Sequence, residues 1–184
     1  MLRFEDSIRK MTAFATVALL ATAEALAQEN APAASRKILV SIPDRKLAVV
    51  EGDRVVRIFR TAVGAPHSPS PHGTFRIINH IAEPTWYTKG KIVPPGKGNP
   101  LGTRWMGLSA KGYGIHGTNR PSSIGHNASH GCIRMRNQDV EQLFEMVSVG
   151  DEVEMYSERT PDLDRIFGET VAQAAAGTGS GGAQ

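Results

Sequence analysis

The sequence predicts a mainly β domain, a sandwich or closed sheet with one packed helix. Three observations point there. Short β-branched runs alternate with turn residues over most of the chain, a Pro- and Gly-rich stretch over 82–104 forbids any long element, and one segment after residue 136 carries apolar residues at helical spacing. At 184 residues, 40% hydrophobic and 21% charged, the composition is that of one ordinary soluble domain with room for a leader and a tail.

Residues 1–27 read as a secretory signal peptide. Arg3, Arg9 and Lys10 precede an apolar run from Met11 to Ala23, and Ala25-Leu26-Ala27 supplies a small-x-small cleavage site. That run is shorter than the roughly 20 residues that span a bilayer, so no stable membrane insertion is expected after cleavage. Residues 28–36 form a polar, Pro/Ala-containing linker, and the folded domain is expected over 37–157. The leader carries three basic and three acidic residues, so the net charge of +3 survives its removal. An excess that small suits anionic surroundings such as a wall polymer, and no Lys/Arg cluster is dense enough to argue for nucleic acid.

Strands are expected at Lys37–Ile42, Lys46–Val50, Val55–Val63 and Thr74–Ile81, with Pro43-Asp44-Arg45 and Gly52-Asp53 as hairpin turns. The long loop over 82–104 carries Trp86 and Tyr87, and loops of this length inside a compact domain tend to be functional. Strands resume at Trp105–Ser109, Gly112–His116 and His130–Met135, and the last is Glu152–Tyr156. Between these last two lies the helix: Asn137 can cap it, Asp139 and Glu141 suit its first turn, and Val140, Leu143, Phe144 and Val147 share one face before Gly150 stops it. Past Pro161 at most one or two amphipathic turns are expected, so 158–184 reads as a flexible C-terminal tail ending in the Gly-rich run Ala174–Gln184.

Chemistry concentrates in residues 115–137, which hold three of the six histidines and the only cysteine. A lone cysteine in an exported chain is either reactive or shielded. A nucleophilic one needs a nearby imidazole or backbone N–H groups to favour its thiolate. His130 and Cys132 lie two apart in an extended strand and share a face, whereas His116 ends another strand and can reach the sulfur side-on, which favours it as the base. Gly131 lets backbone and substrate approach closely, and the Cys132 N–H can help hold an oxyanion. Gly117 and Thr118 can orient the imidazole in place of an acidic third member. Two other readings stay open: a buried structural cysteine, and a metal site from His116, His126, His130 and Cys132, although only the last two have close ligand spacing.

His116 followed by Ser129-His130-Gly131-Cys132 resembles the signature of the YkuD-type L,D-transpeptidases. Ser70-Pro71-His72-Gly73-Thr74-Phe75, Pro84-Thr85-Trp86, Pro94-Pro95-Gly96 and Asn99-Pro100-Leu101-Gly102 look like the family in the same order, over roughly Lys37–Tyr156. The resemblance implies a cysteine acyltransferase that needs neither cofactor nor metal and acts on peptidoglycan stem peptides in the periplasm or cell wall. Cys132 would be the nucleophile and His116 the proton acceptor and donor. Ser129, His130, Gly131 and Gly117 would support the pocket or its oxyanion site, and Arg134, Trp86 and Tyr87 would bind substrate. Arg134 stands where the signature's often quoted form has Asn, so it can meet a substrate carboxylate or only a neighbouring carbonyl. An amine on a second stem, or on a wall-anchored protein, would resolve the thioester. Water in its place would make an L,D-carboxypeptidase or crosslink hydrolase, and a reading from another class is a non-catalytic wall- or metal-binding module.

Overall fold

The structure, a computed structural model, describes residues 36–176, so the expected signal peptide, all of the linker but Arg36, and residues 177–184 lie outside the described part. Twelve strands are described: β1 (Arg36–Ser41), β2 (Lys46–Glu51), β3 (Arg54–Arg60), β4 (Val63–Gly64), β5 (Gly73–Ala82), β6 (Trp86–Thr88), β7 (Lys91–Val93), β8 (Arg104–Leu108), β9 (Gly114–His116), β10 (Asn127–Ser129), β11 (Ile133–Arg134) and β12 (Glu152–Tyr156). Helix α1 spans Asn137–Met146 and α2 spans Pro161–Ala176.

Eight strands form one sheet in the order β11-β9-β8-β5-β12-β1-β2-β3. The run expected as one strand from Val55 to Val63 breaks after Arg60, and the break closes the fold. Ala62, two residues past β3 at one edge, exchanges both backbone hydrogen bonds with Arg134 of β11 at the other, at 2.8 and 2.9 Å. The sheet therefore curls until its edges meet, leaving fewer unpaired strand groups at either edge.

Strand alternation fills the curl. Ile38, Val40, Leu47, Val49, Ile77, Met106, Ile115 and Ile133 point inward and are at most 1% exposed, and Val140 and Leu143 of α1 pack into the same core. Asn137 is not the cap of α1: that position is Arg136, with no side-chain cap, and Asn137 is the first helical residue. Its Oδ1 instead accepts the Thr118 N–H at 3.0 Å, tying α1 to the segment after β9.

The tail reading of 158–184 is corrected over most of its length, because 161–176 form a second helix. Thr160 Oγ1 accepts the Leu163 N–H at 3.3 Å, Pro161 takes the first helical position where a missing N–H costs nothing, and Asp162 and Asp164 lie in the positive first turn. Leu163 and Phe167, each 1% exposed, cover Leu39, Ala48 and Val50 on the outer face of β1 and β2. Those strands are thus buried on both faces. Among the described residues no helix is long and apolar enough to cross a membrane.

Candidate active site

The site lies on the outward face of β8, β9 and β11. Ile115 and Ile133 face the core, so by alternation His116 and Arg134 face the other way, as does Cys132 one residue before β11. The register is parallel, with Ile133 opposite Ile115 and Arg134 opposite His116. Extended by one residue, it sets Cys132 beside Gly114. On the far side, β8 pairs antiparallel with β9 and puts Trp105 opposite His116. The indole lies tilted against the imidazole with ring centroids 5.6 Å apart, and a Cβ on Gly114 would come within 2.6 Å of its Cη2. Neither Trp105 nor Gly114 stands out in the sequence. A tryptophan is one aromatic among several until the register is known.

His116 is 4% exposed and neutral. Burial pushes its pKa down to about 4; the backbone of Gly117 and of Leu101 pulls the other way, and the Arg134 charge adds to the depression. Its Nδ1 sits 2.6 Å from the Gly117 carbonyl, which can only accept, so Nδ1 carries the proton and Nε2 the lone pair. Gly117 thus orients the ring. It has no room for a side chain, since a Cβ there would collide with Asn137 Oδ1.

Cys132 is half-buried, its sulfur 3.7 Å from the Gly112 carbonyl. Burial pushes the thiol above its ordinary 9.0 more than the Gly114 backbone and the Arg134 charge pull it down. The expectation of a standing thiolate is therefore corrected: at neutral pH the pair rests as thiol and uncharged imidazole, because burial disfavours both ionic forms.

Ser129 shapes the turn that carries the sulfur. It is 2% exposed, donates from Oγ to the Cys132 carbonyl at 2.6 Å and accepts the Gly131 N–H at 3.0 Å. Gly131 has φ +107°, and a Cβ there would stand 2.5 Å from Tyr113 Cε1, so both conformation and space demand glycine. The Cys132 amide donates to no described residue. His130 is exposed on the turn.

Trp86 and Tyr87 belong to the hairpin of β6 and β7. Asn99, 1% exposed, donates to the carbonyls of Pro84, Val93 and Pro94 at 2.7, 3.2 and 3.2 Å, closing the hairpin's base. The same loop continues to Leu101 beside His116. Trp86 is half-buried and Tyr87 is 72% exposed. Among the described residues no three His, Cys, Asp or Glu side chains gather closely enough to hold a metal ion, His116, His126, His130 and Cys132 included.

A family model described as the L,D-transpeptidase catalytic domain, YkuD, matches residues 35–155. Two relatives with L,D-transpeptidase in their names are YkuD of Bacillus licheniformis, 42% identical over 64% of this chain and 63% of its own, and YqjB of Bacillus subtilis, 39% identical over 63% and 68%. The chain therefore spans about two thirds of the length of these relatives. Among solved structures, an L,D-transpeptidase from Mycobacterium smegmatis superposes with TM-score 0.57 at 23% identity, covering 67% of this chain and 59% of that one. The catalytic domain of the Enterococcus faecium L,D-transpeptidase gives 0.56 at 24%, covering 67% and 98%. These last two likenesses carry the fold, a curled sheet with two helices. With the family model matched from the first strand to the last, the chain belongs to the YkuD family of L,D-transpeptidase catalytic domains.

Proposed function

We propose that the protein is an exported peptidoglycan L,D-transpeptidase that works through a thioester on Cys132. The observation that carries this reading is the shared face of Cys132 and His116, with the imidazole locked in the tautomer whose Nε2 can take a proton.

From a neutral resting pair, proton transfer accompanies attack. The Cys132 S–H gives its proton to His116 Nε2 as sulfur bonds to the carbonyl carbon between the third and fourth residues of a stem. The oxygen, now negative, is held by the unengaged Cys132 N–H. The C–N bond breaks, the imidazolium returns the proton to the departing amine, and a D-amino acid leaves. An amine on a second stem, or on a wall-anchored protein, then attacks the thioester, its proton passing through His116 back to sulfur. Ser129, Gly131 and Gly117 hold this geometry, while Trp86 and Tyr87 contact the donor stem. The catalysis takes place in the periplasm or cell wall.

Mass spectrometry of the protein mixed with a tetrapeptide stem tests the reading. An acyl adduct on Cys132, a released D-amino acid and crosslinked dimers are expected. Shortened monomers without dimers would assign a carboxypeptidase instead, and turnover retained by Cys132→Ala would overturn the mechanism.

A further inference from the structure

The peptide group that orients the His116 imidazole is itself held by a single side chain. The Gly117 carbonyl beside Nδ1 lies in the same peptide plane as the Thr118 N–H, so turning that plane carries the ring's partner with it. The backbone just before it is pinned elsewhere: the His116 carbonyl accepts the Met135 N–H at 2.8 Å, and the Gly117 N–H donates to the Arg104 carbonyl at 3.1 Å. The Gly117–Thr118 plane has one further hydrogen bond among the described residues, from the Thr118 N–H to Asn137 Oδ1 at 3.0 Å. An N–H can only donate, so the oxygen of the Asn137 amide faces it and not the NH2. Two chain segments make room for that oxygen. A Cβ on Gly117, or on Gly102 with its φ of +65°, would collide with it. Helix α1 meanwhile starts at Arg136 without a side-chain cap, the role for which asparagine is among the preferred residues. The oxygen serves the exit of β9 and not its own helix.

We infer that Asn137 is a positioning residue for the base: acting through the Gly117–Thr118 peptide, it fixes the orientation and tautomer of His116 in place of an acidic third member. The inference rests on the acyl-transfer reading above, in which His116 moves the proton, and adds a residue to that machinery. The link has two hydrogen bonds in series. Asn137 Oδ1 accepts from the Thr118 N–H, and the Gly117 oxygen of the same peptide accepts from Nδ1–H. Bonds arranged this way polarise and strengthen one another. Because the amide is neutral, it holds the Nδ1–H tautomer without stabilising the imidazolium as a carboxylate would. Of the charged side chains, the Arg134 guanidinium from β11 acts on the ring; the Cys132 thiol shares that face uncharged, and β8 presents the Trp105 indole. Asn137 therefore makes itself felt when the proton moves, in kcat more than in KM.

The test measures turnover of a tetrapeptide stem by the wild-type protein, Asn137→Ala and Asn137→Asp across pH. Asn137→Ala frees the peptide plane, and kcat should fall about 10- to 100-fold with KM within about threefold of wild type. Asn137→Asp keeps an acceptor of the same shape, and the helix N-terminus at which it stands suits a carboxylate, so kcat at pH 7 should return to within about threefold. That carboxylate would also stabilise the imidazolium one peptide away. The acid limb of kcat/KM, which reports the base in the free enzyme, should therefore move up by about one pH unit. A residue that only braced the fold would leave that limb in place. An acid limb in Asn137→Asp that coincides with the wild type overturns the inference, whether or not Asn137→Ala folds. A kcat in Asn137→Ala within about twofold of wild type overturns it too, and in both cases the transpeptidase reading stands. No acyl adduct on Cys132 in the wild type removes the acyl-transfer reading and this inference with it.

Discussion

Arg134 stands opposite His116 in the parallel ladder between β9 and β11, and this single register fixes which side chain faces the nucleophile. Two residues back along both strands, Cys132 meets Gly114, where a side chain would run into the Trp105 indole that lies tilted against the imidazole. Gly114→Ala would press a methyl group into that indole, which could move only by disturbing the imidazole beside it. Misplacement on the scale of 1 Å costs about 100-fold in rate. Acylation of Cys132 in Gly114→Ala should fall by about that factor, and because the same methyl would stand 2.8 Å from the Met106 carbonyl the midpoint of urea unfolding should fall as well. A variant with unimpaired acylation would show that the indole does not position the base.

The neutral pair has a pH signature with two limbs. His116 carries a pKa of about 4 in the folded chain against 6.5 when unfolded. Between those values the unfolded chain binds a proton that the folded chain does not, so stability rises with pH across the window and is lost as pH falls through it. The full loss is about 3 kcal/mol, at 1.36 kcal/mol per unit. Urea midpoints measured from pH 7 down to 4 should decline, and His116→Gln should flatten that decline. On the other limb, alkylation of Cys132 by a neutral reagent should keep rising past pH 9, because burial holds the thiol above its ordinary value. A plateau below pH 7 would mean a standing thiolate.

Ser129 lies three residues from the sulfur it serves, and its hydroxyl works twice, as donor to the Cys132 carbonyl and acceptor from the Gly131 N–H. Removing it strands a buried N–H, which costs about 1–3 kcal/mol. Ser129→Ala should lower stability by that amount and slow acylation. Ser129→Thr, which keeps the hydroxyl, should recover most of both. If Ser129→Ala matches the wild type in both measurements, the turn is held by Gly131 and Tyr113 alone.

Much of this was legible in the chain. The order His116, Ser129, Gly131, Cys132 carried the site because backbone geometry forces particular residue types there: only glycine takes the φ of Gly131, and only a small hydroxyl bridges Gly131 and Cys132. What stayed hidden depends on strand register, which sequence patterns leave open by one or more residues. Trp105 beside His116, Gly114 beside Cys132 and the Ala62–Arg134 closure are all of this kind. Asn137 departs from its expected capping role for a different reason. Its residue type suits a cap, but a partner nineteen residues away in sequence, the Thr118 N–H, competes for the same oxygen. The resting charge of the pair was invisible as well, since spacing says nothing of burial.

The second helix has a start signal in the chain, but its length does not. Thr160-Pro161-Asp162 is a helix start, and Leu163, Ile166 and Phe167 fall at i, i+3 and i+4, yet the small-residue run that follows reads as a tail. Its apolar stripe meets Leu39, Ala48 and Val50, which would otherwise be an exposed patch on β1 and β2. Phe167, 1% exposed, anchors the contact, and large-to-small changes at such a site cost about 3–5 kcal/mol. Phe167→Ala should therefore lower the urea midpoint markedly. The rate of Cys132 alkylation in the still-folded variant should stay within about twofold, because Phe167 packs on Leu39, Ala48 and Val50 on the outer face of β1 and β2. A large loss of thiol reactivity without a loss of stability would show instead that α2 acts on the site rather than on the fold.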